Sequence, residues 1–190
     1  LRVAWPLPHG AESLHAVYKP IGGERPLADF PTGTLANREE AAWHVSEATG
    51  WSIVPPTLVR DGPAGVGMVQ LWLDTDDDAD ILRMILTRDD RLRQMAVFDA
   101  LVNNADRKGG HLLVTGADVH GCDHGICFAV APKLRTVLWG WRGEPLTPDE
   151  LAAVASVREA LDADLGHRLR ELLASREVDA TRRRADALLG

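Results

Sequence analysis

Over residues 14–19, Leu-His-Ala-Val-Tyr-Lys, apolar and polar positions alternate, which predicts a short strand ending at Lys19-Pro20. Gly22, Gly23, Pro26, Pro31 and Gly33 then mark a long irregular connection. From Leu35 to Thr49 the composition turns helical. The spacing sets Glu39 on one face with Ala42, Trp43 and Ser46, and Glu40 on another with His44 and Glu47, so Glu39 is the carboxylate expected to point inward. Gly50 is a helix stop, residues 51–57 with Pro55-Pro56 read as extended, and residues 61–67 as a turn-rich loop. Residues 68–73, Met-Val-Gln-Leu-Trp-Leu, predict an apolar strand.

The acidic run at 74–80 lacks the glycine and the bidentate glutamate of a calcium loop, so it reads as a solvated linker between two subregions. Ile81, Leu82, Ile85 and Leu86 predict one amphipathic helix, and Leu92, Met95, Ala96 and Val102 a second. Asp99 lies on that second apolar face, where a carboxylate needs a partner; hydrogen bonds from the loop around Asp106 are expected, with a solvated place at the edge of the face as the alternative. An acidic turn follows, then an apolar strand over 112–114 and a hairpin that returns the chain to Asp123. Trp139-Gly140-Trp141 reads as packing. Thr147-Pro148-Asp149-Glu150 is a strong helix start, and residues 151–189 read as helical, with Arg182-Arg183-Arg184 on a solvated face.

The 190 residues suffice for one substantial core or for two small lobes around a cleft. A net charge of −7 argues against broad binding to nucleic acid or to an anionic membrane, so any phosphate must be held locally. No apolar run approaches the roughly 20 residues of a membrane span, and Leu1-Arg2-Val3-Ala4-Trp5 does not read as a signal peptide, which makes the expected location cytoplasmic. The two cysteines, Cys122 and Cys127, are too few for a disulfide framework and fit a reducing compartment. Because the chain opens on leucine, a first strand and a glycine-rich loop are expected in sequence ahead of it; within the chain, Pro8-His9-Gly10 is the one candidate for such a loop.

Taken in order, the polar candidates are Lys19, Glu39, Asp106, His111 and Asp123. Phosphoryl transfer from a nucleotide needs such an inventory: a lysine on donor phosphates, a carboxylate to orient it, an aspartate for the acceptor hydroxyl and a second aspartate for a metal. The motifs Asp106-Arg107-Lys108-Gly109-Gly110-His111 and Cys122-Asp123-His124-Gly125-Ile126-Cys127-Phe128 resemble the catalytic and metal-binding loops of the phosphatidylinositol 3- and 4-kinase-like superfamily. The likeness is nearest to small bacterial members similar to type II phosphatidylinositol 4-kinases. Tyr18-Lys19-Pro20, Arg38-Glu39, residues 54–57, Gln70-Leu71-Trp72 and Trp139-Gly140-Trp141 follow in the same order, so the resemblance covers about residues 14–145.

The resemblance implies an α+β, two-lobed, protein-kinase-like fold, with a reduced N-terminal lobe to about residue 73 and a mainly helical C-terminal lobe from about residue 80. It implies ATP, with Mg2+ or Mn2+. It sets Lys19 on the ATP phosphates, Glu39 as its ion-pair partner, Gln70, Leu71 and Trp72 as the hinge offering backbone groups to adenine, Asp106 as catalytic aspartate and Asp123 as metal ligand. His111 stands where that family carries a metal-binding asparagine, and imidazole is a poorer ligand for magnesium than an amide oxygen. Manganese or another softer ion, a single-metal mechanism, or a protein that binds nucleotide without turnover all follow from that departure.

The expected activity is ATP-dependent phosphotransfer to a hydroxyl of a protein or small soluble molecule, with no nucleic acid and no stable membrane association. Taken singly, Lys19 reads as an exposed strand-end lysine, Glu39 as a helix-surface carboxylate and His111 as a loop histidine satisfied by backbone. A catalytically silent nucleotide-binding or scaffold protein is one alternative. A zinc-binding protein is another: His120, Cys122 and His124 alternate, and on one strand would face the same side.

Overall fold

The computed structural model describes residues 2–7 and 10–190, with side chains from residue 14 onward. Pro8 and His9 of the candidate phosphate loop lie outside the described residues. The architecture is mixed α/β. Strands β1 (Arg2–Leu7), β2 (Gly10–Pro20), β3 (Thr57–Gly62) and β4 (Gly65–Leu71) form one antiparallel sheet in the order β1-β2-β4-β3, and β5 (Leu112–Thr115) and β6 (Asp118–Gly121) form a separate hairpin. Helices α1 (Leu35–Thr49), α2 (Ile81–Thr87), α3 (Arg93–Val102), α4 (Pro148–Ala160), α5 (Asp164–Leu172) and α6 (Ser175–Leu189) supply most of the remainder.

The register of β2 on β4 pairs Lys19 with Met68 and Val17 with Gln70. Gly67 permits the close approach at the Lys19 end of this ladder, since a Cβ there would stand 2.5 Å from the Lys19 carbonyl oxygen. Helix α1 packs on β3 and β4 and also on α4 and α5, so it joins the sheet to the helical part of the molecule. The main apolar core lies among the helices: Ala41, Ala42 and Val45 of α1, Phe98 and Leu101 of α3, Val154 and Val157 of α4, Leu169 of α5 and Val178 of α6 all meet in one cluster.

Several expectations are corrected. The stretch 61–67, expected as a turn-rich loop, is mostly strand: Asp61 and Gly62 end β3, Gly65 to Gly67 begin β4, and only a tight turn separates them, with Gly62 opposite Gly65. On α2 the inward residue is Met84, with Ile81 and Ile85 partly covered, whereas Leu82 and Leu86 point to solvent. Residues 151–189 are three helices, because the chain turns back at buried Leu161 and again at buried Leu173. Glu40 is as buried as Glu39. Arg184 is not on a solvated face: it donates to the carbonyl oxygens of Leu101 (2.8 Å) and Ala129 (3.3 Å), and burial pulls its pKa down to about 10. Among the described residues, no helix is long and apolar enough to cross a membrane.

Candidate active site

A cavity of about 530 Å³ opens between the end of β2, the first turns of α1 and the loops that flank the β5–β6 hairpin. Its wall includes Lys19, Glu39, Asp106, His111 and Asp123, residues spread over more than a hundred positions of sequence. Lys19 reaches it from the penultimate position of β2, and Glu39 from the second turn of α1. Asp106 sits in the loop after α3, and His111 ends the 3-10 turn before β5. Asp123 follows β6 with φ of 58°, a left-handed conformation that aspartate tolerates better than most residues.

The Lys19 ammonium pairs with Asp123 Oδ1 and stands 3.5 Å from Glu39 Oε1. Burial works to lower the Lys19 pKa, but the two carboxylates outweigh it and hold the value above the ordinary one. Glu39 is fully desolvated, which raises its pKa against the pull of Lys19 and of the His124 backbone N–H, donated to Oε2 at 2.8 Å. That amide bond ties α1 to the Asp123 loop. For Asp123, desolvation is overcome by Lys19, and its pKa falls below the ordinary value. Burial lowers the His111 pKa, with Asp123 opposing. His111 Nε2 stands 3.5 Å from Asp123 Oδ2. Asp106 is met by Lys108, with Nζ 2.6 Å from Oδ2.

Behind the cavity a buried network fixes the Asp106 loop. Asp99 accepts from Asn104 (2.9 Å), from Arg107 Nη2 (2.9 Å) and from Thr136 (3.0 Å), so the expected link between Asp99 and this loop is present. Asn104 Oδ1 in turn accepts from the Asp106 amide at 3.0 Å. Arg107 also donates to His124 Nε2 at 2.7 Å. Guanidinium is only a donor, so Nε2 is the accepting nitrogen and the His124 proton sits on Nδ1. Burial and the neighbouring Arg107 charge push the His124 pKa well below the ordinary value, which keeps this imidazole neutral. Arg38, 1% exposed, donates to the Cys127 carbonyl oxygen at 2.9 Å and to Glu177 at 2.7 Å, bracing the same loop from α1 and α6.

The hinge residues are not brought into the cavity. Gln70 is buried and donates to Thr57 Oγ1 at 2.8 Å, the Leu71 amide is taken by Pro56 O, and the Trp72 amide by His15 O. The zinc reading is also corrected. Strand β6 ends at Gly121, so the alternation that would align His120, Cys122 and His124 stops; His120 Nδ1 bonds the Ser52 carbonyl oxygen and His124 bonds Arg107. Among the described residues, no three His, Cys, Asp or Glu side chains gather as a metal site. Asp123 and His111 offer two donors, which suits an ion that brings waters and phosphate oxygens as its remaining ligands.

Sequence reasoning gave no bracing role to Arg107 and Arg38, which it met only as motif members, and it missed Asn104 and Thr136. Arg38 carried a signal, since it precedes Glu39 on the helix and has Thr34 one turn back, from which its Nε is 3.3 Å. Nothing in the spacing marks Thr136.

No known family model matches the chain. Protein Rv2133c of Mycobacterium tuberculosis is 48% identical over 217 residues, an alignment that takes in 95% of this chain and 78% of that relative. The chain belongs to the Protein Rv2133c family. Phosphatidylinositol 4-kinase gamma 4 of Oryza sativa subsp. japonica is 29% identical over 193 residues, which take in 80% of this Rv2133c-family chain but only 34% of the rice protein.

Proposed function

We propose that the chain is an ATP-dependent phosphotransferase of two-lobed, kinase-like build, acting on a hydroxyl of a protein or small soluble acceptor. The observation that carries this reading is the convergence of Lys19, Glu39, Asp106, His111 and Asp123 on one cavity. The similarity to a rice protein named as a phosphatidylinositol 4-kinase supports it. In this reading Lys19 neutralises donor phosphates, and Glu39, fixed by the His124 amide, keeps the ammonium in the cavity when Asp123 is engaged elsewhere. Asp106 orients the acceptor hydroxyl and takes its proton, with Lys108 Nζ 2.6 Å from its carboxylate. Asp123 and His111 would hold a divalent ion, with its remaining ligands from water and phosphate oxygens. Such an ion supplies neutralisation of the charge on the donor phosphates. Water exclusion falls to the apolar wall formed by Leu35, Ala36, Met68 and Ile126.

The test is the thermal midpoint with ATP alone and with ATP plus Mg2+ or Mn2+, since a ligand that binds only the folded state raises it. A metal-dependent rise is expected, and it should vanish in Asp123→Asn, a substitution that keeps shape and tolerates the left-handed φ. No rise with any nucleotide, or an undiminished rise in the variant, overturns the reading. A silent nucleotide-binding protein is the second reading, favoured by Lys108 and Lys19 each closing a carboxylate of the site. Binding without turnover across protein and small-alcohol acceptors selects it.

A further inference from the structure

A second cavity, of about 240 Å³, shares no wall residue with the first and has no part in the phosphotransferase reading. One wall is a single stripe of α3, Arg93, Ala96, Val97 and Ala100, at the spacing of one helical face. Two of the four are alanines, and their short side chains leave the space open. The facing wall is extended chain, from which the alternate residues Leu134, Thr136 and Leu138 contribute. The Thr136 hydroxyl already donates to Asp99 at 3.0 Å and accepts from the Leu138 amide at 3.1 Å, so this wall has no free donor. Leu188 of α6 and the two tryptophans complete the enclosure. Trp141 packs on the core, whereas Trp139 is 46% exposed. The space is larger than the apolar cavity of about 150 Å³ that takes up benzene, so it suits an organic ring or a short chain rather than ordered water.

Charge at the rim is uneven. Glu144 is held by Arg88 and Arg93, and Glu150 by Arg93. Arg142 is left over: it is exposed, its Cζ stands 5.6 Å from the Trp139 ring, and among the described residues its guanidinium has no hydrogen bond or ion pair. A planar guanidinium set over an indole ring presents its N–H groups to a carboxylate. We propose that the cavity binds a small amphiphilic carboxylate, an alkyl or aryl acid whose apolar body lies between α3 and residues 134–138 and whose carboxylate pairs with Arg142. The volume admits one short chain or a fused ring, and that limit selects a free acid. The same wall is tied to the Asp106 loop, since the Arg107 amide donates to the Arg135 carbonyl oxygen at 2.9 Å and the Val137 amide to that of Arg107 at 3.2 Å. Occupancy therefore steadies the segment that steadies the loop, and these two amides should exchange more slowly with solvent in the complex.

Calorimetric titration of the full chain with octanoate and, separately, with octylammonium sets one alkyl chain against itself under opposite charges. Octanoate is expected to bind saturably at one site and about fivefold more tightly than octylammonium. That preference runs against the net charge of −7, which favours the cation. Arg142→Gln, a change at an exposed side chain, should weaken octanoate alone and bring the two affinities together. Ala100→Leu fills the cavity from α3 and should abolish binding of both, with circular dichroism checking the fold. Equal affinity of the two ions for the unaltered chain, or octanoate binding untouched in Arg142→Gln, overturns the pairing with Arg142 and the proposal with it. Absence of saturable octanoate binding, its persistence in folded Ala100→Leu, or Arg107 and Val137 exchange unchanged at saturation overturns the cavity as the site.

Discussion

Glu40 has almost no exposure and three partners: the Val59 amide at 2.6 Å, His44 and Arg168. Desolvation raises its pKa, but these partners prevail and hold it below the ordinary 4.5. As pH falls the unfolded chain therefore takes up this proton first, so the stabilisation is full above 4.5 and drains away below it. Glu40→Gln keeps the shape and removes the charge. At neutral pH it should cost about 1–3 kcal/mol, and it should flatten the acid limb of the stability curve below 4.5. Urea unfolding from pH 7 to pH 3 measures both effects; parallel curves for the two proteins would sink the assignment. Helical spacing set Glu39 and Glu40 on different faces and could not say that both faces are covered, because β3 and α5 arrive from elsewhere in the chain. Lys19, Asp106 and Asp123 were legible as an ordered series of charges. The link from Asp99 to the Asp106 loop was legible too, but the parts played in it by Asn104, Arg107 and Thr136 were not, since Thr136 approaches from 37 residues beyond Asp99.

At the scale of elements, α1 carries the largest share of the architecture, and its ends were the easiest to read. Gly50 closes it with φ of 72°, and its amide bonds the Glu47 carbonyl oxygen at 3.0 Å. A Cβ at Gly50 would meet nothing within 4 Å, so a substitution there tests the backbone alone. Gly50→Ala is expected to destabilise the chain by about 1 kcal/mol in denaturant, and Gly50→Asn by less, because asparagine tolerates the left-handed region. Equal stability of the alanine variant would mean that the helix end relaxes at no cost. Helix α4 was equally legible: Thr147 and Glu150 form the reciprocal cap that their spacing announced. The breaks between α4, α5 and α6 were not, because they fall at Leu161-Asp162-Ala163 and Leu173-Ala174, which lack proline and glycine. The signal lay slightly later, at Gly166, where a Cβ would come within 2.1 Å of the Leu161 carbonyl oxygen.

Across the whole molecule, the cavity is assembled from segments that share one rigid frame. Helix α1 touches the sheet through β3 and β4 and the helical core through α4 and α5, and Arg38 carries it on to α6 through Glu177. A fold divided into two independent halves would melt in two steps. The shared helix predicts one, with tryptophan fluorescence, which samples Trp72 beside the sheet as well as Trp43, Trp51 and Trp141 against the helical core, tracing the same transition as the helical circular dichroism. Glu177→Ala sharpens the test. It leaves the Arg38 guanidinium buried without its carboxylate, which should cost about 3–5 kcal/mol. Because Arg38 also holds the Cys127 carbonyl oxygen in the loop that carries Asp123, the loss is not confined to α6. Both optical transitions should shift together and by the same amount. A fluorescence transition split into two steps, with only one of them shifted, would mean that the sheet and its Lys19 fold apart from the loops carrying Asp106 and Asp123, and that nucleotide, rather than α1, brings the two sides of the cavity together.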